Sequence, residues 1–297
     1  MKKRNNLIYV LALVLTLISC EKEVKYKEEL LAPKLVVSGL LEVDSTCVIY
    51  LERTYNFMEN EPELKITSGA TITIENLTDG TSFSVATPTD SNRYEFPFVV
   101  TSNTDYRLTV THPDFPTVTA STRTTGVVPL ISVDTATAPY YGYDHFQTTW
   151  KWLDPPGENY YMISGWITGE DSLYSFDLSG PTGIASQDPI ADNQSDDPLN
   201  DYNGDRYFVF PDESFDSQMK TFVGYSNNWY VHQSYYTHVV VKYTLSNINR
   251  DAYLYYKSLQ KQMNIDPTLS EPVKVYTNIE NGFGIFACTN HQQVIFE

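Results

Sequence analysis

The residues best placed to do chemistry lie in an acidic stretch between Asp188 and Asp216, where nine carboxylates face a single basic residue, Arg206. Within it, Asp201-x-Asn203-Gly204-Asp205 sets oxygen donors on alternate residues around a turn, the donor type hard Ca²⁺ prefers. The spacing departs from an EF-hand loop, because Gly204 is displaced and no Glu closes the far end. Asp201, Asn203 and Asp205 therefore stand as calcium ligands against the alternative of a solvated acidic loop. The five histidines, His112, His145, His232, His238 and His291, are scattered without metal-ligand spacing. No Gly-x-Ser-x-Gly elbow or phosphate-cradling glycine loop occurs, and a glycosidase dyad cannot be singled out from so many acids. The chain reads as a non-enzyme.

A second chemistry is written at the N-terminus. Lys2, Lys3 and Arg4 precede a twelve-residue apolar run, Leu7 to Ile18, and Leu17-Ile18-Ser19-Cys20 follows. That run is short of the roughly 20 residues a membrane-crossing helix needs, so it reads as a signal-peptide core. A small residue before Cys is what lipoprotein signal peptidase cuts, which makes Cys20 the acylated first residue after cleavage. Residues 1–19 are then the signal peptide and 20–32 a lipidated, charged tether that reaches no more than roughly 40 Å from the lipid. Acidic residues beside interspersed lysines in Glu21–Leu31 favour the cell surface over the periplasmic face of an outer membrane. Cleavage removes three positive charges and moves the net charge from −17 to −20. So acidic a chain disfavours nucleic acid and anionic lipid as partners. The lipid is the expected membrane contact.

The rest must position these groups, and it reads as mainly β. Residues 33–125 carry about seven short alternating strands, among them Ala70 to Glu75, Tyr94-x-Phe96-x-Phe98 and Tyr106-x-Leu108-x-Val110. Asp79-Gly80 suits a tight hairpin turn with positive φ at both central positions. This predicts an N-terminal β-sandwich, immunoglobulin- or transthyretin-like. Gly126 to Pro129 reads as a linker. Residues 129–297 predict a second, fibronectin type III-like sandwich, whose Phe146–Trp152 and Tyr160–Ile167 strands flank the Asp154-Pro155-Pro156-Gly157 turn as a B–C hairpin. Trp150, Trp152 and Trp166 are assigned to its core. An irregular acidic insertion spans 180–205, and one amphipathic helix spans 247–263, capped by Ser246 or Asn249. Short strands are expected at Val273 to Tyr276, Gly284 to Ala287 and Val294 to Phe296. Cys47 and Cys288, on strands far apart in the chain, read as buried thiols.

Several stretches fall in a familiar order: the lipobox, Leu35-Val36-Val37-Ser38-Gly39, Gly69 to Ile74, Asn159-Tyr160-Tyr161, Tyr207 to Phe215, the Tyr-rich helix and Asn278-Ile279-Glu280-Asn281-Gly282-Phe283-Gly284-Ile285-Phe286. Together they resemble a Bacteroidetes lipoprotein family catalogued as a domain of unknown function, number 4249. The resemblance implies an outer-membrane or surface lipoprotein with an accessory role beside a TonB-dependent β-barrel, and it transfers no catalytic residue. A glycan- or peptide-capturing module is the competing reading, since 23 tyrosines, several in adjacent pairs, leave aromatic rings on strand faces turned to solvent. Asp44-Ser45-Thr46, Asp134-Thr135-Ala136 and Asp171-Ser172-Leu173 match the Asp-Ser/Thr-apolar triplet of envelope O-glycosylation, nominating Ser45, Thr135 and Ser172. Gly282 and Gly284, two apart around Phe283, predict a bulge or a close backbone approach.

Overall fold

A computed structural model describes residues 32–56, 63–171, 177–191, 207–226, 236–263 and 271–296. The chain is mainly β, and residues from Pro33 onward form one compact unit. Among the described residues it holds three sheets and one α-helix. Among the described residues, no helix is long and apolar enough to cross a membrane.

The central sheet draws strands from both ends of the chain. β1 (Leu35–Glu42), β2 (Thr46–Arg53) and β5 (Arg93–Val99) form one side of it. β10 (Tyr160–Asp171), β11 (Asp177–Thr182), β13 (Tyr207–Pro211) and β15 (Tyr236–Ile248) form the other. β16 (Phe283–Phe296) joins the halves in the order β11-β10-β15-β16-β1-β2-β5, with β13 also beside β10. Every pairing in it is antiparallel except β16 with β1. A parallel pair cannot be closed by a tight turn, and here its two strands are the first and last among the described residues. The sheet thus runs unbroken through both segments assigned to separate sandwiches.

Two smaller sheets cover it. One contains β3 (Thr71–Asn76), β4 (Ser82–Val85), β6 (Asp105–His112) and β7 (Phe115–Arg123), ordered β4-β3-β6-β7. The other contains β8 (Leu130–Tyr140), β9 (Tyr143–Leu153), β12 (Ile184–Ala185) and β14 (Met219–Ser226), ordered β12-β14-β9-β8. Period-2 alternation decides what each buries. Leu35, Val37, Leu41, Ile49, Leu51, Phe286 and Cys288 meet Ile72, Ile74, Leu108 and Val110 in one core. Tyr161, Ile163, Val241, Tyr243 and Leu245 meet Trp150, Trp152 and Phe222 in a second. Cross-strand partners share a face, so the pairs Leu245–Gln292 and Leu41–Cys288 put both cores on the same side of the central sheet.

The opposite side carries α1 (Arg250–Met263), whose Ala252 and Tyr253 pack on Tyr160, Val209, Ile248, Ile285 and Ala287. Asn249 Oδ1 accepts the Ala252 N–H at 3.1 Å, an N-cap bond to the third helical residue. The helix begins later than the predicted 247, because Asn247 and Ile248 are still in β15.

Polar side chains hold the linker across the central sheet. Asn247 and Asn290 are cross-strand partners, and their Nδ2 groups donate to the Gly126 and Thr125 carbonyls, both at 3.1 Å. Thr125 Oγ1 donates back to the Asn247 carbonyl at 2.9 Å, and Gln292 Oε1 accepts the Leu130 N–H at 2.7 Å. A half-buried chain crossing is held by such partners for its peptide groups.

Other expectations change in detail. β16 is one 14-residue strand, where two short ones were predicted, and 273–276 is not a strand. The start of the acidic insertion is structured, with β11, β12 and a 3-10 turn at Pro189–Ala191. β9 and β10 lie in different sheets, so the Asp154 turn arches between layers and closes no hairpin. At Asp79-Gly80 the only positive φ is Gly80, +79°, while Asp79 Oδ1 accepts the Thr81 N–H and hydroxyl.

Candidate functional site

The described residues offer two places with site-like character, one acidic and one aromatic. Asp201, Asn203, Asp205, Cys20 and Ser172 lie outside the described residues. Ser45 sits in the β1–β2 turn, its hydroxyl donating to Glu42 Oε1 at 3.1 Å, and Thr135 is exposed on β8. They belong to different sheets, and the structure does not bring them together. Cys47 and Cys288 are free thiols in the same core, despite their distance in sequence. Burial pushes Cys47 up to about 12 and raises Cys288 as well, so both stay protonated and unreactive.

The acidic place is the Asp154-Pro155-Pro156-Gly157 arch and the β13–β14 connection facing it. Asp154, Asp212 and Asp216 each present an oxygen within 4.8 Å of the others. Asp154 is only 2% exposed. Tyr161 donates its hydroxyl to Asp154 Oδ1 at 2.5 Å, and the Ser217 N–H donates to Oδ2 at 2.8 Å. Asp212 Oδ2 accepts the Asn159 N–H at 2.9 Å, and Asp216 Oδ1 accepts the Gly157 N–H at 3.1 Å. Burial raises the Asp154 carboxyl above its ordinary range, Tyr161 and Ser217 pull it back, and Asp212 and Asp216 push it up again. Three oxygens so close are able to share a divalent cation. Each already receives N–H or O–H donors from the chain, however, and those bonds account for the geometry as a brace between two loops. The sequence placed Asp154 in a turn and Asp212 and Asp216 in the acidic stretch, but nothing in it signalled that they meet.

The aromatic place is on the helix side of the central sheet, where α1 leaves part of the face uncovered. Trp166 is 46% exposed there, which corrects its assignment to the core; Trp150 and Trp152 are fully buried as expected. The reason is pleat parity. Tyr161, Ile163 and Ile167 face the inner core, so Met162, Ser164 and Trp166 face outward. Cross-strand pairing arranges the floor in two rows. Pro181, Trp166, Lys242 and Ile295 form one, and Tyr207, Ser164, Thr244 and Gln293 the next. Tyr256 of α1 makes the wall, edge-on to Tyr207 with ring centres 5.3 Å apart. The groove encloses about 510 Å³, within the size usual for small-ligand sites. Burial first, then Tyr207 and Tyr255, push the Tyr256 phenol up to about 12, leaving it a neutral donor at any physiological pH.

The Asn278-to-Phe286 stretch is a structural lock. Asn278 Oδ1 accepts the Phe286 N–H at 3.0 Å while its Nδ2 donates to the Phe286 carbonyl at 2.7 Å. Glu280 bonds Thr119 through backbone and side chain, tying the strand entry to β7. A comparison with curated proteins finds no match. A family model described as a domain of unknown function, DUF4249, matches residues 21–294, and this chain belongs to that family.

Proposed function

We propose that the chain is a non-enzymatic outer-membrane or surface lipoprotein, anchored by an acyl group on Cys20, that acts as an accessory or binding component of a TonB-dependent uptake system. One observation carries the reading: the family match begins at residue 21, directly after Cys20, and runs through residue 294. The matched span is thus nearly all of the polypeptide that the proposed cleavage before Cys20 would leave. The non-enzymatic part is supported by the Asp154, Asp212 and Asp216 set, whose oxygens are engaged in bracing two loops. The finer architecture belongs to the same proposal. An immunoglobulin- or transthyretin-like sandwich and a fibronectin type III-like one each use half of the shared central sheet, which fits the two inner cores.

A second reading, ligand capture by the chain itself, is favoured by the aromatic groove. The discriminating experiment is a pull-down of the native lipidated protein from its own envelope. Recovery of a stoichiometric outer-membrane β-barrel supports the accessory role. Recovery of the lipoprotein alone, under conditions that preserve known envelope complexes, rejects it.

A further inference from the structure

We infer that the groove between α1 and β10, β15 and β16 binds a saccharide chain carrying a single acidic group, with sugar rings against Trp166, Tyr207 and Tyr256 and that carboxylate or sulfate against Lys242. This rests on the ligand-capture reading and names its ligand class.

The floor is what selects a saccharide. Cross-strand neighbours stand about 5 Å apart, so each row presents closely spaced side chains of alternating character. Trp166 beside Lys242 and Tyr207 beside Ser164 put an aromatic face next to a polar group in both rows. A sugar ring has the same split character, with C–H bonds on its faces and hydroxyls around its rim. Aromatic faces carry partial negative charge and attract such C–H bonds. Ser164, Thr244 and Gln293 can each donate and accept, as a hydroxyl ligand requires.

The competing occupants fit worse. An extended peptide gains most by adding to a free sheet edge. Here β10 is already paired on both sides, to β15 and to β11 or β13, and β15 lies between β10 and β16. The floor therefore offers side chains and no free backbone ladder. Nucleic acid would need many cations along its phosphates. Among its described lining residues the groove has one, in a chain of net charge −17.

That single cation decides the ligand's charge. Among the described residues, Lys242 is the only charged one lining the groove, and no carboxylate pairs with it. Three donors with no acceptor suit an anionic group. Uronates and sulfated sugars share this chemistry.

The test is calorimetric binding to the purified full-length mature protein. The probes are a malto-oligosaccharide ending in one glucuronate, the same chain carrying one sulfate, the neutral malto-oligosaccharide and an extended acidic peptide, all of similar length. One or both acidic saccharides should bind saturably, and which of the two does so identifies the acid group. Trp166→Ala should weaken that binding about tenfold or more, with unchanged melting because the ring is half exposed. Lys242→Gln should weaken the acidic saccharide about fivefold and leave the neutral one unchanged, the size expected of an exposed charge contact. Acidic-saccharide binding that survives both substitutions overturns the inference. Binding of the peptide alone also overturns it while leaving ligand capture standing. Binding of none of the four probes ends both.

Discussion

Gly284 and Val37 are ladder partners across the parallel junction of β16 and β1, and a β-carbon on Gly284 would lie 1.9 Å from the Val37 carbonyl oxygen. Gly284 also has φ of +97°, a conformation that L side chains rarely adopt. The obstructing atoms are backbone, and they belong to the strand that closes the chain's first segment onto its last. No side chain can swing aside to make room.

Gly284→Ala should therefore cost more than about 4 kcal/mol, a range that single substitutions reach only through a specific steric or burial fault. Gly80→Ala is the control. Its φ is +79° but nothing lies within 4 Å of an added β-carbon, so only the conformational cost of about 1–2 kcal/mol applies. Urea unfolding of both variants measures the difference. Equal midpoints for the two would show that the close approach to Val37 does not constrain the fold.

Asn290→Ala should destabilise by about 1 kcal/mol, the net worth of one hydrogen bond to the half-buried Thr125 carbonyl. Asn290 is 6% exposed and its Nδ2 is the side-chain donor to the Thr125 carbonyl. Asn247→Ala should cost a similar amount through Gly126. Because both residues hold one linker from adjacent positions on paired strands, the double variant should lose less than the sum of the two. Strict additivity would mean that the linker is not held as a unit.

The same asparagines show why the sequence was legible only in part. The strands of 33–125 stand out because their inward residues, such as Tyr94 and Phe96 or Leu108 and Val110, are apolar and their outward ones polar. β16 breaks that rule in its middle, where Asn290, His291, Gln292 and Gln293 follow one another. Asn290 and Gln292 hold the linker and Gln293 lines the groove, so polar side chains stand on both faces and hide the strand. Trp166 was misplaced for a related reason. Its size suggested core, whereas its parity with Ser164 already put it on the outer face. The pairing of β1 with β16 leaves only the faint sign of Gly282 and Gly284, since nothing local records which strand a glycine must approach.

On the proposed lipoprotein reading, Cys20→Ala should leave the chain uncleaved or soluble, because the variant would lack the cysteine that the proposal has the signal peptidase recognise and the lipid acylate. Membrane fractionation with lipid labelling of the variant in its native host checks this, and labelling equal to wild type would remove the anchor from the proposal. Protease accessibility of wild type on intact cells should separate display on the surface from the inner face of the outer membrane.

Asp154→Asn should change how stability depends on pH. Burial, reinforced by Asp212 and Asp216, holds the Asp154 carboxyl above its ordinary value, so the folded protein keeps a proton that the unfolded chain has released. For an acid with a raised folded pKa, stability falls as pH climbs from the unfolded pKa to the folded one, and the loss is complete above it. The Asn variant does not titrate at this position. Its melting temperature relative to wild type should therefore rise from about pH 4 upward and level off once Asp154 is ionised in the folded protein. Tyr161→Phe tests the cause from the other side. The Tyr161 hydroxyl favours the ionised carboxylate by donating to it, and its own phenol is pushed above the ordinary tyrosine range by burial and by Asp154. Removing that donor should raise the Asp154 carboxyl further and widen the pH window over which stability falls. Thermal melts of the three proteins between pH 3 and pH 8 provide the comparison. Parallel curves for wild type and Asp154→Asn would show that burial at the arch leaves this carboxyl where an exposed one titrates.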